Sequence, residues 1–280
     1  MTGRLAWSGY GKSAVRLVKV DRPGARHELH DLTVEVQLQG DFESAHSAGD
    51  NTRVLPTDTM KNTVYALARQ GAVSPPEAFA ERLARHFLEA CPAARLAVIS
   101  LALHGWGRAE VGGEAHGHAF VRGPAERRLA TVSLDANGVR HEAGLEGLGL
   151  LKTTDSGFAG FLRDGYTTLQ DTHDRILATD VEARWSYSRP PGDYDLAWTA
   201  VRTSLVETFA GHRSASVQHT LYAMGQAALA RSPEIGEIRL VLPNRHHLLV
   251  DLAPFGLDNP NEIYVATSEP SGRIEAVVVR

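Results

Sequence analysis

Four short stretches hold side chains able to do chemistry. The first is Val54-Leu55-Pro56-Thr57-Asp58-Thr59-Met60-Lys61-Asn62-Thr63-Val64-Tyr65. Thr57 and Asp58 stand where a helix begins. They fit an N-cap, because a short oxygen-bearing side chain there accepts a backbone N–H. They equally fit a turn whose free N–H groups hold an anion or a polar heterocycle. The second stretch runs from Lys152-Thr153-Thr154-Asp155-Ser156-Gly157-Phe158-Ala159-Gly160-Phe161-Leu162-Arg163-Asp164 through to Asp174-Arg175-Ile176-Leu177. Gly157 and Gly160 flank Phe158, whose ring is either core or left accessible to stack on a flat ligand. Arg175 is either a surface ion pair or a planar fork of donors for a planar anion. The third, Ser216-Val217-Gln218, opens a helix. The Gln218 amide has a donor and an acceptor side by side, which suits the edge of a purine-like heterocycle as well as it suits solvent. The fourth, Leu242-Pro243-Asn244-Arg245-His246-His247, ends a strand.

Histidine pairs there and at His116-Gly117-His118 raise the question of a metal. A His-x-His pair alone is a weak signal. No Cys partner and no His-Glu-x-x-His helix accompanies it, so no metal is expected. The chain of 280 residues is long enough for about two domains. A formal net charge of −4 gives no electrostatic footprint for nucleic acid or an anionic membrane. An anion site must therefore be local. The single cysteine, Cys91, rules out an intrachain disulfide and suits a reduced, intracellular protein. No run approaches the roughly 20 apolar residues of a membrane helix. The first residues lack a signal-peptide core, and the last carry no Ser-Lys-Leu peroxisomal address, so the cytoplasm is the expectation.

The elements that must position these groups show in the periodicity. Leu32-Thr33-Val34-Glu35-Val36-Gln37-Leu38 alternates as a half-buried strand does. Leu96 to Leu103 is an apolar run, strand-like but compatible with a helix. Val181, Ala183, Trp185 and Tyr187 alternate with polar residues, as do Ile238, Leu240 and Leu242, and Ile274 to Val279 is rich in Val. A helix is expected from about Asp58 to Gln70, stopped by Gly71 as a left-handed cap. Ser74-Pro75-Pro76-Glu77 has the pattern of a capping box, with Pro at the first helical position, ahead of a Phe79, Leu83, Phe87 face. Trp198, Val201, Leu205 and Phe209 form another stripe ending at Gly211. Val217, Leu221 and Met224 follow on a helix from near Ser216. Strands, two helices, strands, and the same again predict an α+β fold with antiparallel sheets. The break falls at the turn Asp135-Ala136-Asn137-Gly138.

Taken together, Tyr10-Gly11-Lys12, Thr57-Asp58 with Lys61-Asn62-Thr63, His116-Gly117-His118-Ala119-Phe120, Phe161-Leu162-Arg163-Asp164, Asp174-Arg175-Ile176-Leu177, Ser214-Ala215-Ser216-Val217-Gln218 and Leu242-Pro243-Asn244-Arg245-His246 resemble the urate oxidase (uricase) family over nearly the whole chain. Any one of these motifs is weak; their order and spacing are specific. The resemblance implies two tandem tunnelling-fold (T-fold) domains, 1–137 and 138–280, each an antiparallel four-stranded sheet with a pair of helices. It implies a homotetramer with active sites between subunits, and cofactor-independent oxidation of urate by dioxygen and water to 5-hydroxyisourate and hydrogen peroxide. Phe158 matches the stacking residue. Arg175 and Gln218 match the clamp on urate, with the Val217 backbone beside it, and Asn244 matches the residue that positions dioxygen or water. Lys12, Thr57 and His246 match a proton relay. Thr57 and Asp58 would reach from the neighbouring subunit into a site holding Lys12 and Arg175. The absent peroxisomal address implies a bacterial-type member. One stretch departs from the family: His104-Gly105-Trp106-Gly107-Arg108 has glycines where bulkier residues are usual, which puts the rigidity of a local loop in question. A metal-using cyclohydrolase relative would need a zinc site that the histidines do not offer. A purine-binding protein without catalysis would not need Lys12, Thr57 and His246 together.

Overall fold

The computed structural model describes residues 3–267 and 269–280. It divides into two compact units. The first runs to Gly144 and takes in Pro190–Asp195; the second holds Leu145–Arg189 and Leu196–Arg280.

In the first unit β1 (Gly9–Asp21), β2 (Glu28–Gly40), β3 (Ala94–Val111) and β4 (Glu114–Asp135) pair in sequence order, each antiparallel to the next. Between β2 and β3 come α1 (Glu43–Ser47), α2 (Thr57–Gln70) and α3 (Pro76–Ala90). The alternation in β2 puts Leu32, Val34, Val36 and Leu38 on one buried face. Met60 and Val64 of α2 and Phe79, Leu83 and Phe87 of α3 join the same core, all fully buried. At about 1.5–3 kcal/mol per buried large side chain, this face outweighs any local helix preference. The apolar run from Leu96 is strand, within β3.

Both helix ends expected in this unit close differently. Gly71 is extended, at φ −154°, not left-handed. Gly71 N still donates to Leu67 O at 3.3 Å, and the Arg82 guanidinium braces this end, donating to Leu67 O at 3.0 Å and Ala72 O at 2.9 Å. The Ser74 capping box does not form. Pro75 holds the N-cap position, and Glu77 turns inward to Arg128 at 3.0 Å. Burial pushes the Glu77 carboxyl up, and Arg128 opposes that. The His104–Arg108 glycines lie within β3, not in a loop. A register shift falls between His104 and Trp106. Side chains pin this part of the strand: Trp106 Nε1 donates to Asp31 Oδ2 at 3.0 Å, and Arg108 Nη2 to His27 O at 2.6 Å.

The Asp135–Gly138 turn joins β4 to β5 (Gly138–Lys152), which starts in the first unit and ends in the second. In the second unit β6 (Leu177–Tyr187) is followed by α4 (Tyr194–Gly211, whose first two residues belong to the first unit), α5 (Val217–Arg231) and β7 (Ile235–Asn244). A small ladder, β8 (His247–Leu249) with β9 (Tyr264–Ala266), precedes β10 (Gly272–Val279). β5, β6, β7 and β10 lie side by side, with β6–β7 and β7–β10 antiparallel. Val181, Ala183 and Trp185 face a core with Leu205, Leu221, Met224, Ile238, Leu240 and Leu242, all buried. α5 comes so close to β10 that a Cβ on Gly225 would lie 2.5 Å from Val278 Cγ2. No helix among the described residues is long and apolar enough to cross a membrane.

β1 carries Lys12, and its geometry is irregular there. The register against β2 shifts between Lys12 and Val15, and Ala14 in that bulge has φ +54°. Just before it, a Cβ on Gly11 would lie 1.8 Å from the Val36 carbonyl oxygen. Backbone cannot yield that far without breaking the ladder. Gly11→Ala is therefore expected to cost about 1–3 kcal/mol or more, the range for overpacking. It should appear as a lower urea midpoint. An unchanged midpoint would contradict the close β1–β2 approach.

Candidate active site

The second unit carries Phe158, Arg175, Val217, Gln218, Asn244 and His246. Residues 153–176 form no regular element, yet backbone bonds hold Asp155–Phe158 from two sides. On one side Phe158 N donates to Thr172 O at 2.7 Å, and Thr172 N returns a bond to Phe158 O at 2.9 Å. Arg175 N donates to Ser156 O, also at 2.7 Å. On the other side Gly157 N donates to Ser214 O, and Ser214 N to Asp155 O, both at 2.8 Å. Ser214 leads directly into α5. Its hydroxyl donates to Ser216 O and accepts from Thr220 Oγ1 at 2.7 Å. One central rail thus fixes Phe158, Arg175 and the first turn of α5 to one another.

The glycines serve this rail rather than exposing the ring. A Cβ on Gly157 would crowd Thr172 O at 3.0 Å and His173 O at 3.1 Å, and Gly160 turns the chain at φ +69°. Phe158 is half-buried. Phe161 stacks on it, centroids 4.9 Å apart and planes at 8°. The Arg163 guanidinium lies 4.6 Å from the Phe161 centroid and is held by Asp171 at 3.0 Å. Phe161 and Arg163 therefore support the Phe158 ring. The Phe161-Leu162-Arg163-Asp164 motif contained them, but its spacing gave no sign of this stack.

The Arg175 guanidinium carbon lies 5.5 Å from the Phe158 centroid. Burial pushes this guanidinium below the ordinary arginine range, with no charged neighbour contributing. No carboxylate pairs with it among the described residues, and its buried Nε and the buried Ser156 Oγ have no hydrogen-bond partner there. Lys152, whose Nζ donates to His212 O, is also held down by burial. His212 is lowered by burial, then by His219 and Lys152. Carboxylates do lie on the same segment: Asp155 opposes the effect of burial on Lys152, and Asp174 accepts from Thr154 Oγ1, so the lack of a carboxylate partner is local to Arg175.

Val217 is the first residue of α5, so its N–H belongs to a turn without intrahelical acceptors. Ser216 caps that turn by accepting from His219 N at 3.1 Å. Val217 is buried and Gln218 exposed. Asn244 ends β7. Arg245 N donates to Ala178 O at 2.9 Å, and its guanidinium pairs with Asp180 at 2.6 Å. Asn244 and His246 therefore flank the start of β6, into which Arg175 leads.

The first unit carries Lys12, Thr57 and Asp58. Pro56 takes the N-cap position of α2, and Thr57 and Asp58 begin the helix itself without capping it. Asp58 is exposed and reaches Lys61 at 2.5 Å and Asn62 at 3.0 Å. Its carboxyl is held below the usual range by Lys61 first, with Lys12 contributing through space. Tyr10, two residues before Lys12, accepts from Leu55 N, two residues before Thr57, at 2.8 Å, which ties this part of β1 to the approach to α2 in the same chain. The family resemblance groups Lys12 with Arg175; the packing of α2 on β1 groups it with Thr57 and Asp58. Among the described residues no hydrogen bond joins Lys12 to Thr57.

A desolvated guanidinium beside a ring face and a helix first turn forms a receptor for a flat anion. A lysine, a threonine and a carboxylate on a second helix first turn can move protons. The uricase family model matches residues 8–133 and 141–275. The chain is 49% identical over 276 residues to the uricase of Arthrobacter globiformis, spanning 99% of this chain and 90% of that protein. It is 38% identical over 280 residues to the uricase of Danio rerio, spanning 98% and 94%. The crystal structure of the Arthrobacter globiformis uricase matches with a TM-score of 0.95 at 48% identity, covering 100% of this chain and 96% of that one. By both sequence and fold, the chain belongs to the uricase family.

Proposed function

We propose that the chain is a urate oxidase that needs no metal or organic cofactor and works as a homotetramer in the cytoplasm. The observation that carries this is Arg175: a half-buried guanidinium beside the Phe158 ring, without a carboxylate. A flat anion supplies the missing charge. Urate on Phe158 gains about 1–3 kcal/mol by analogy with base stacking. Charge-assisted bonds from Arg175 add about 1.5–3 kcal/mol each. The Val217 N–H and the Gln218 amide bind the opposite edge.

The reaction joins urate, dioxygen and water to give 5-hydroxyisourate and hydrogen peroxide. Urate is easily oxidised, so the protein's task is to hold the anion, take its protons and keep dioxygen over the ring. Lys12 takes a proton through Thr57, His246 returns or orients it, and Asn244 positions dioxygen or water. The family resemblance supports a site that joins the urate clamp of one subunit to Thr57 and Asp58 of the partner subunit; it puts Lys12 with the clamp, but the packing of α2 on β1 favours Lys12 coming with Thr57 and Asp58.

Metal-stripped protein mixed with urate in air should remove urate's ultraviolet absorbance at the parent rate. The motive is the donor set: among the described residues no three His, Cys, Asp or Glu side chains converge. Loss of activity on stripping, restored by one ion per subunit, would overturn this.

Lys12→Met is expected to lower kcat with little change in KM, and Arg175→Ala chiefly to raise KM. A Lys12→Met kcat within about twofold of the parent, roughly 0.4 kcal/mol in barrier, would remove Lys12 from the relay.

The shared site predicts complementation. Co-expressed Thr57→Ala and Arg175→Ala chains should recover towards about a quarter of parental sites, because a mixed dimer has one site with both lesions and one with neither. Lys12→Met with Arg175→Ala should recover likewise, whereas Lys12→Met with Thr57→Ala should not. Mixed oligomers seen by mass spectrometry, with no recovery in the first two pairs, would place the site within one subunit.

A further inference from the structure

The relay side chains sit on two separate elements, Lys12 on β1 and Thr57 at the start of α2. Proton transfer between them needs a geometry held to a fraction of an ångström, and no hydrogen bond joins them directly among the described residues. Some other group must set the distance between strand and helix.

Tyr10 lies two residues before Lys12 on β1, ahead of the bulge, so both side chains leave the same face of the strand. Its hydroxyl accepts a bond from Leu55 N at 2.8 Å. Leu55 is followed by Pro56, which has no N–H, and then by Thr57. The Leu55 N–H is thus the last backbone donor before α2 that a strand side chain can hold. The ring is aimed by Phe42, edge-on at 4.8 Å and 90°. Cys91 Sγ, 4.0 Å from the Tyr10 oxygen, lies 3.7 Å from Arg53 O on the same loop. Burial, with Cys91 adding, pushes the phenol up to about 12, so it stays a neutral hydroxyl throughout the working range. The close Gly11–Val36 approach denies β1 room to slide beneath this bond.

We infer that Tyr10 is a positioning residue for the reaction: its hydrogen bond to Leu55 N fixes the α2 start, and so Thr57, against Lys12. This rests on the proposed Lys12–Thr57 relay. A tyrosine that merely filled the core would affect stability in proportion to its contacts and would be indifferent to Lys12.

The test is a double-mutant cycle on the full-length enzyme with urate as substrate. Tyr10→Phe keeps the ring and removes the acceptor. It should lower kcat about tenfold, the scale of a sub-ångström misplacement of a reacting group, with KM within about twofold of the parent. In the Lys12→Met background the same substitution should change kcat by less than about twofold, since the geometry it disturbs no longer serves a relay. An equal loss in both backgrounds, or a parental kcat for Tyr10→Phe alone, overturns the inference. A parental kcat for Lys12→Met fails the relay itself, a distinguishable outcome that takes the inference with it. Should Tyr10→Phe not fold, amide exchange in the parent decides: Leu55 N–H is expected to be protected about a hundredfold or more over an open loop amide, and exchange at the open rate overturns the bond.

Discussion

A guanidinium taken partly out of water without a carboxylate is an expensive thing to build, because desolvation is not offset by a fixed counter-charge. Arg175 is such a group, and the second unit is organised around keeping it there. Its backbone N–H is bonded to Ser156 O, its carbon lies over the Phe158 ring, and the nearest acid in sequence, Asp174, is turned away to Thr154 Oγ1 at 2.7 Å. Had Asp174 paired with Arg175, the site would have been neutralised internally and an incoming anion would have had to break an ion pair. In the proposed site the unbalanced positive charge would be the binding determinant, and the rail of backbone bonds holds Arg175 in place.

Both halves of the proposed site would use the first turn of a helix, where backbone N–H groups are free and the helix dipole favours negative charge. The halves differ in how they are held. Val217 and Gln218 are fixed by Ser216, Ser214 and Thr220, a network of short side chains local to α5. Thr57 and Asp58 follow a proline and gain no side-chain cap, so their position depends on what α2 packs against. A clamp for a rigid planar ligand tolerates local definition. The proposed proton path between two elements would not, and it would draw its precision from the sheet.

The strands and helices whose periodicity was clean, such as Leu32–Leu38, Phe79–Phe87 and Ile238–Leu242, were legible in the sequence because burial of one face dictates them. β1 was not, since charged residues and an exposed Val18 break its alternation. Neither were the helix ends at Gly71 and Ser74, where Arg82, reaching back from α3, braces the C-terminal carbonyls and Arg128, distant in sequence, draws Glu77 away from a capping role. At the candidate site the residue types were visible in short motifs. Their grouping was not. The rail through Asp155–Phe158 lies in a segment with no periodicity, and the tie between β1, which carries Lys12, and the start of α2 follows from helix-on-strand packing that no spacing encodes.

Exposure to water cuts across the two halves. Arg175, Phe158 and Lys12 are half-buried, while Thr57, Asp58 and Gln218 are exposed in the single chain. Hydrogen bonds and fixed charges steer a reaction strongly only where water is excluded and the donors are already aimed. A lone chain would supply the aim, through the rail and through β1, but leaves Thr57 and Asp58 of the proposed proton path in high dielectric. In a urate oxidase of this build, covering Thr57 and Asp58 with the urate clamp of a second copy would exclude water and complete the site in one step. Assembly would then be part of the chemistry: the same contact that buries the proton path brings it the anion on which it acts.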